Sequence, residues 1–163
     1  MNRQMYLSYE AYNALLEAKR IAIKYGETHL KAEDLVIAIL SKPKSSINKI
    51  LEKLGDLEIV LKKAKARKGQ ILKVSQRPLL KDLKVAHRFK DVLEHVKSET
   101  SDSGRNTIEV EDFIMAILKN GDGIGADALI STGITVKCLK VELQLRSPKP
   151  RQPILLEKPI WDL

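Results

Sequence analysis

The chain has 163 residues, 44% apolar but only 4% aromatic, and a formal net charge of +8. That balance fits a packed domain with a core of Leu, Ile, Val and Ala and excludes a disordered polyelectrolyte. The longest apolar runs fall far short of a membrane span, Cys138 is the only cysteine, and no apolar stretch of signal-peptide length follows Met1, so the reading is a cytoplasmic chain with no membrane partner and no internal disulfide.

A first helix is predicted over 8–25, with Leu7, Ala11, Ala14, Leu15, Ala18, Ala22 and Tyr25 at helical spacing, Ser8 as N-cap and Gly26 as stop. A second begins at the acidic pair Glu33-Asp34 and runs into the apolar stretch 35–40, a third covers 45–54, and a fourth covers 57–66. The segment 69–82 reads as a link. The same order then returns: a helix from about residue 85 that frays near Glu99 and Thr100 before Gly104, a second entered at Glu111-Asp112, a third over 123–132 and a fourth over 136–145. Residues 147–153 form a Pro-rich charged spacer, followed by a short apolar piece, 154–163, that repeats nothing upstream.

Sliding the chain by 78 residues aligns 7–61 with 85–139 without a gap and gives 11 identical pairs in 55 positions, against about 4 expected from ordinary residue usage. Gly26/Gly104, Glu33/Glu111, Asp34/Asp112 and Gly55/Gly133 are among them. The duplication predicts an all-α fold of about eight helices, in which two four-helix units, 7–68 and 85–145, pack with pseudo-twofold symmetry. Each unit alone buries too little core to stand by itself.

The charge is uneven. Residues 1–70 carry 14 Lys/Arg and 8 Asp/Glu, residues 71–145 carry 11 of each, and residues 146–163 carry 4 and 2. The excess is concentrated at Lys62-Lys63-Ala64-Lys65-Ala66-Arg67-Lys68, read as a solvated helix end that complements the helix dipole. Gly121-Asp122-Gly123-Ile124-Gly125 lacks a following Lys-Ser/Thr and a preceding strand, so it reads as a turn rather than a phosphate loop. His29, His87 and His95 have no partners at metal-ligand spacing, and no catalytic arrangement stands out.

Gly26-Glu27-Thr28-His29-Leu30-Lys31-Ala32-Glu33-Asp34-Leu35 resembles the "G-H-x-x-I-x-x-E-H-L-L" segment of the Clp N-terminal repeat. Leu7-Ser8-Tyr9-Glu10-Ala11 is similar to its opening helix, and Gly121–Ala126 with Leu129 and Gly133 is similar to "G-E-G-V-A…L…L-G". The chain is thus identified as similar over 7–145 to the N-terminal domain of ClpA/ClpC-type AAA+ unfoldases. The stretch from Pro153 to Leu163 resembles the "T-P-x-L-D-x-x-x-R-D-L" lead into the first ATPase module. The resemblance implies a non-catalytic domain, 1–145, with 146–163 leading as a linker toward an ATPase.

The same resemblance implies a docking role toward adaptor proteins and protein substrates. Cofactors are none in this segment, with ATP and Mg in the parent. The resemblance implies as well a hexameric parent that delivers to a Clp peptidase and a monomeric isolated domain. The glutamates matching Glu33 and Glu111 bind the guanidinium of phosphoarginine marks in ClpC members, and N–H groups near Ser8 and Ala86 are suited to the phosphate. The alternative role for these acids is to cap the second helix of each unit. Asp34 and Asp112 stand where the family usually has His, and Ala86 lacks the hydroxyl of Ser8. Ser103-Gly104-Arg105-Asn106 is similar to ClpA members and a Glu in both copies to ClpC members, which leaves the subtype open. The rival functional readings are a small basic helical nucleic-acid binder led by Lys62–Lys68, and a stand-alone Clp-repeat adaptor.

Overall fold

The computed structural model describes residues 4–42, 45–121, 123–145 and 153–162. These form eight α-helices with four in each unit, so the chain is mostly helical as expected. In the first unit α1 is Tyr9–Lys24, α2 Ala32–Leu40, α3 Ser46–Glu52 and α4 Leu57–Lys65. In the second, α5 is His87–Asp102, α6 Val110–Asn120, α7 Gly123–Ile130 and α8 Val136–Gln144. In α2 every residue from Glu33 to Leu40 is buried, as its unbroken apolar run predicts.

Five two-residue strands accompany the helices, and periodicity did not predict them. They are β1 Tyr6–Leu7, β2 His29–Leu30, β3 Lys84–Val85, β4 Thr107–Ile108 and β5 Ile154–Leu155. The strand at the mouth of each unit pairs in parallel with the α1–α2 or α5–α6 connection of the other unit. Tyr6 faces Thr107 and Leu7 faces Ile108 in one pair, and Lys84 faces His29 and Val85 faces Leu30 in the other. Each partner in one pair is the 78-residue mate of a partner in the other, so the strands reproduce the pseudo-twofold relation in backbone hydrogen bonds. Ser8 N–H donates to Ile108 O and Ala86 N–H to Leu30 O, both at 2.9 Å.

Three local readings change. Helix α5 does not fray at Glu99–Thr100. Thr100 is buried and its hydroxyl donates to Val96 O at 2.8 Å, so a polar side chain sits on the core face without breaking the helix. Lys68 is not solvated: its side chain is 6% exposed and lies between Glu27 and Asp34. The C-terminal piece packs on the body, with β5 antiparallel to β1 and Ile160 buried in a 3-10 turn, Ile160–Asp162. Most of the Pro-rich spacer lies outside the described residues. No helix of the described residues is long and apolar enough to cross a membrane.

Candidate functional site

The β2–β3 pairing carries the start of α5 to the start of α2. Between them lies a cavity of about 410 Å³ whose lining includes Lys31, Glu33, Ala86, His87, Arg88, Phe89, Asn120, Gly123, Ile124 and Gly125. Two of the sequence-derived candidates, Glu33 and Ala86, therefore meet in one cavity although they are 53 positions apart. Gly125 lets α7 pack closely on the start of α2. A Cβ there would lie 3.2 Å from Glu33 N and 3.3 Å from both Glu33 Cα and Val36 Cγ2. Its mate in the first unit is Ile47.

Glu33 is buried, with Oε1 3.8 Å from Lys31 Nζ and 3.9 Å from Lys68 Nζ. Beside it, Asp34 is fully buried. Its Oδ2 accepts from Lys31 N–H at 3.0 Å and its Oδ1 accepts from Lys68 Nζ at 2.5 Å, while Glu27 takes a further contact from the same ammonium. Burial pushes the Asp34 carboxyl up to about 6, and the Lys68 hydrogen bond restrains the rise. Burial lowers the Lys68 ammonium, but the bonds from Asp34 and Glu27 outweigh it and hold its pKa above the ordinary lysine value. Helix α5 opens at Ala86 with no side-chain cap. Ala86 has no side-chain oxygen to accept a first-turn N–H, and Phe89 N–H bonds to Ala86 O at 3.0 Å.

The other two candidates, Ser8 and Glu111, do not share a described cavity. Ser8 is buried and its hydroxyl accepts from Ala11 N–H at 3.1 Å, capping α1. The cavity related to that of Glu33 by the pseudo-twofold, about 470 Å³, is lined by Glu10, Asn13, Ala14, Lys42, Ile47 and Val110 among others. Glu111 lines a separate space of about 490 Å³ with Glu99, Arg105, Asp112 and Lys119. There Asp112 accepts from Glu109 N–H at 2.8 Å and from the Arg105 guanidinium at 3.1 and 2.7 Å. Asp34 and Asp112 thus do the same capping work in both copies, each with a cation from elsewhere. The mate of Arg105 is Glu27, so the first unit reverses that charge and recruits Lys68 instead. The sequence reading missed Lys68 and Arg105 as partners of these acids, and missed Lys31, His87 and Arg88 as cavity residues. Nothing in the sequence pattern singles these residues out, since the cavity arises only when the strand exchange brings the two helix starts together.

No curated protein matches the sequence. The solved structure of the N-terminal domain of the Caseinolytic protease associated chaperone ClpD from Arabidopsis thaliana is similar, with a TM-score of 0.64 and 12% identity, over 86% of this chain and 93% of that one. A structure described as a preliminary structural investigation of a malarial protein secretion system has a TM-score of 0.65 and 18% identity, over 84% and 91%. At these identities the two structures establish a shared fold. The family model for the Clp repeat (R) N-terminal domain matches residues 6–132. That match spans the first repeat, the second as far as α7, and both strand exchanges, and the chain belongs to the Clp repeat N-terminal domain family.

Proposed function

We propose that this chain is a docking domain that recruits adaptors and protein substrates to a Clp-type unfoldase for unfolding and degradation. In this reading it performs no catalysis itself, and ATP and Mg act in the attached ring, which feeds a Clp peptidase. The observation that carries the reading is the cavity in which the buried carboxylate of Glu33 faces the uncapped start of α5. A carboxylate accepts a guanidinium in fork geometry, and free N–H groups at a helix start suit a phosphate. His87 and Arg88, at that start, add cationic or polar groups on the phosphate side. An arginine-phosphorylated segment matches both ends of the cavity. The Glu111 space lacks a helix start of this kind among its lining residues, so the two glutamates are unequal in this reading.

Calorimetry with free phosphoarginine tests it. Wild type is expected to bind, Glu33→Ala to weaken binding by about 10-fold or more, and Glu111→Ala to leave the Glu33 site intact. Equal binding by wild type and Glu33→Ala, or no binding by either, overturns the assignment.

A further inference from the structure

A second groove, about 390 Å³, runs between α4 and α7 and shares only Ile124 with the Glu33 cavity. Its floor is Ala66, Ile124, Ala128 and Ile130. Lys63 and Arg67 stand on the α4 side and Asp127 and Ser131 on the α7 side, with Lys63 Nζ donating to Ser131 Oγ at 2.9 Å. Ile59, Lys63 and Ala66 share one helix face by their spacing. Ile59 and Ile130 are 45% and 41% exposed, so apolar surface lies at the α4–α7 seam under a basic rim. Lys62, Lys63 and Arg67 are exposed, and no carboxylate among the described residues pairs with Lys62 or Arg67.

An apolar floor beneath unpaired cations calls for an occupant that brings both apolar side chains and carboxylates. The chain's own spacer does not qualify: Arg146, Lys149 and Arg151 make 146–152 basic, with no acid. A second copy brings a net +8 to an already basic rim. A nucleic acid brings negative charge, but the groove has neither an aromatic platform for bases nor any use for its apolar floor in binding a phosphate backbone. We propose that the α4–α7 groove docks an acidic amphipathic helix of a partner protein. Its apolar residues lie over Ala128 and Ile130, and its carboxylates lie against Lys62, Lys63 and Arg67. This holds whether or not the Glu33 cavity takes phosphoarginine.

The test is fluorescence anisotropy on the full chain with a labelled synthetic peptide of about 18 residues, enough for five helical turns. The peptide carries Leu at i, i+3, i+4 and i+7 and Glu elsewhere. Its scrambled isomer and a duplex DNA of about 20 base pairs are the competitors. The striped peptide is expected to bind at least ~10-fold tighter than the scramble and to shift the Ile130 methyl resonances. Lys63→Glu/Arg67→Glu is expected to weaken it by ~10-fold or more. Lys49→Glu/Lys65→Glu changes charge equally at exposed positions outside the groove and is expected to weaken it by less than ~2-fold. Equal binding of the scramble, equal loss in both double variants, or tighter and steeply salt-dependent binding of the DNA overturns the proposal.

Discussion

The Asp34 carboxylate lies in the chain's interior, yet it does two jobs that favour its charged form: it caps α2 through Lys31 N–H and it meets Lys68. Burial wins, and its pKa stands at about 6, above the ~3.9 of an unfolded aspartate. The folded chain therefore holds this proton more tightly than the unfolded chain. The resulting stability is complete below about pH 4 and is lost as pH rises through 6. Between pH 7 and pH 5, wild type is expected to gain about 1 kcal/mol relative to Asp34→Asn, read as the change in urea midpoint at the two pH values. An equal pH response in both proteins rules the assignment out. Asp112 differs because Arg105 is half-exposed, and such a pair contributes at most about 1 kcal/mol. The acids at 33–34 and 111–112 were legible because duplication preserved them. Their partners were not: Lys68 is 34 positions from Asp34 and sits in a basic run that reads as solvated. Only the approach of the chain after α4 to the start of α2 buries it.

Helix boundaries were legible wherever a cap or a glycine wrote them into the chain. Ser8, Ser45, Asp56 and Thr135 each accept a first-turn N–H, and Gly26 and Gly104 follow α1 and α5 with φ of 73° and 80°. Two-residue strands were invisible because an alternation needs more than two positions to register. With them went the cavity, since the β2–β3 exchange is what brings Glu33 to Ala86. The inequality of the two opening helices was legible as Ser8 against Ala86, and it has an energetic consequence. Backbone angles at the two caps are alike, φ/ψ of −63°/156° and −59°/139°, so a hydroxyl at 86 finds the geometry that Ser8 already uses. Ser8→Ala is expected to cost about 1 kcal/mol and Ala86→Ser to gain roughly 0.5–1 kcal/mol, measured by chemical denaturation. If Ala86→Ser gives no gain, the α5 start is already satisfied by another acceptor.

At the level of the whole molecule, the repeat is also the packing rule. Gly55 and Gly133, identical across the offset, mark the α3–α4 and α7–α8 turns, which meet each other across the pseudo-twofold. A Cβ on Gly55 would lie 2.7 Å from Thr132 O, and one on Gly133 would lie 3.3 Å from Leu54 O. Thr132 and Leu54 are themselves 78-residue mates. The glycines recur because the two units close on one another there. The first contact is with backbone, which cannot rotate aside as a side chain end can. Gly55→Ala is therefore expected to cost about 1–3 kcal/mol. Gly69→Ala, where an added Cβ meets nothing within 4 Å, is expected to be neutral or to gain about 0.5 kcal/mol by restricting the unfolded chain. Since the Gly55 contact joins the units, hydrogen exchange in Gly55→Ala is expected to accelerate in α2 and in α6 together. Acceleration confined to the first unit would mean that the two repeats fold as separate bodies and that the inter-unit contacts do not couple them.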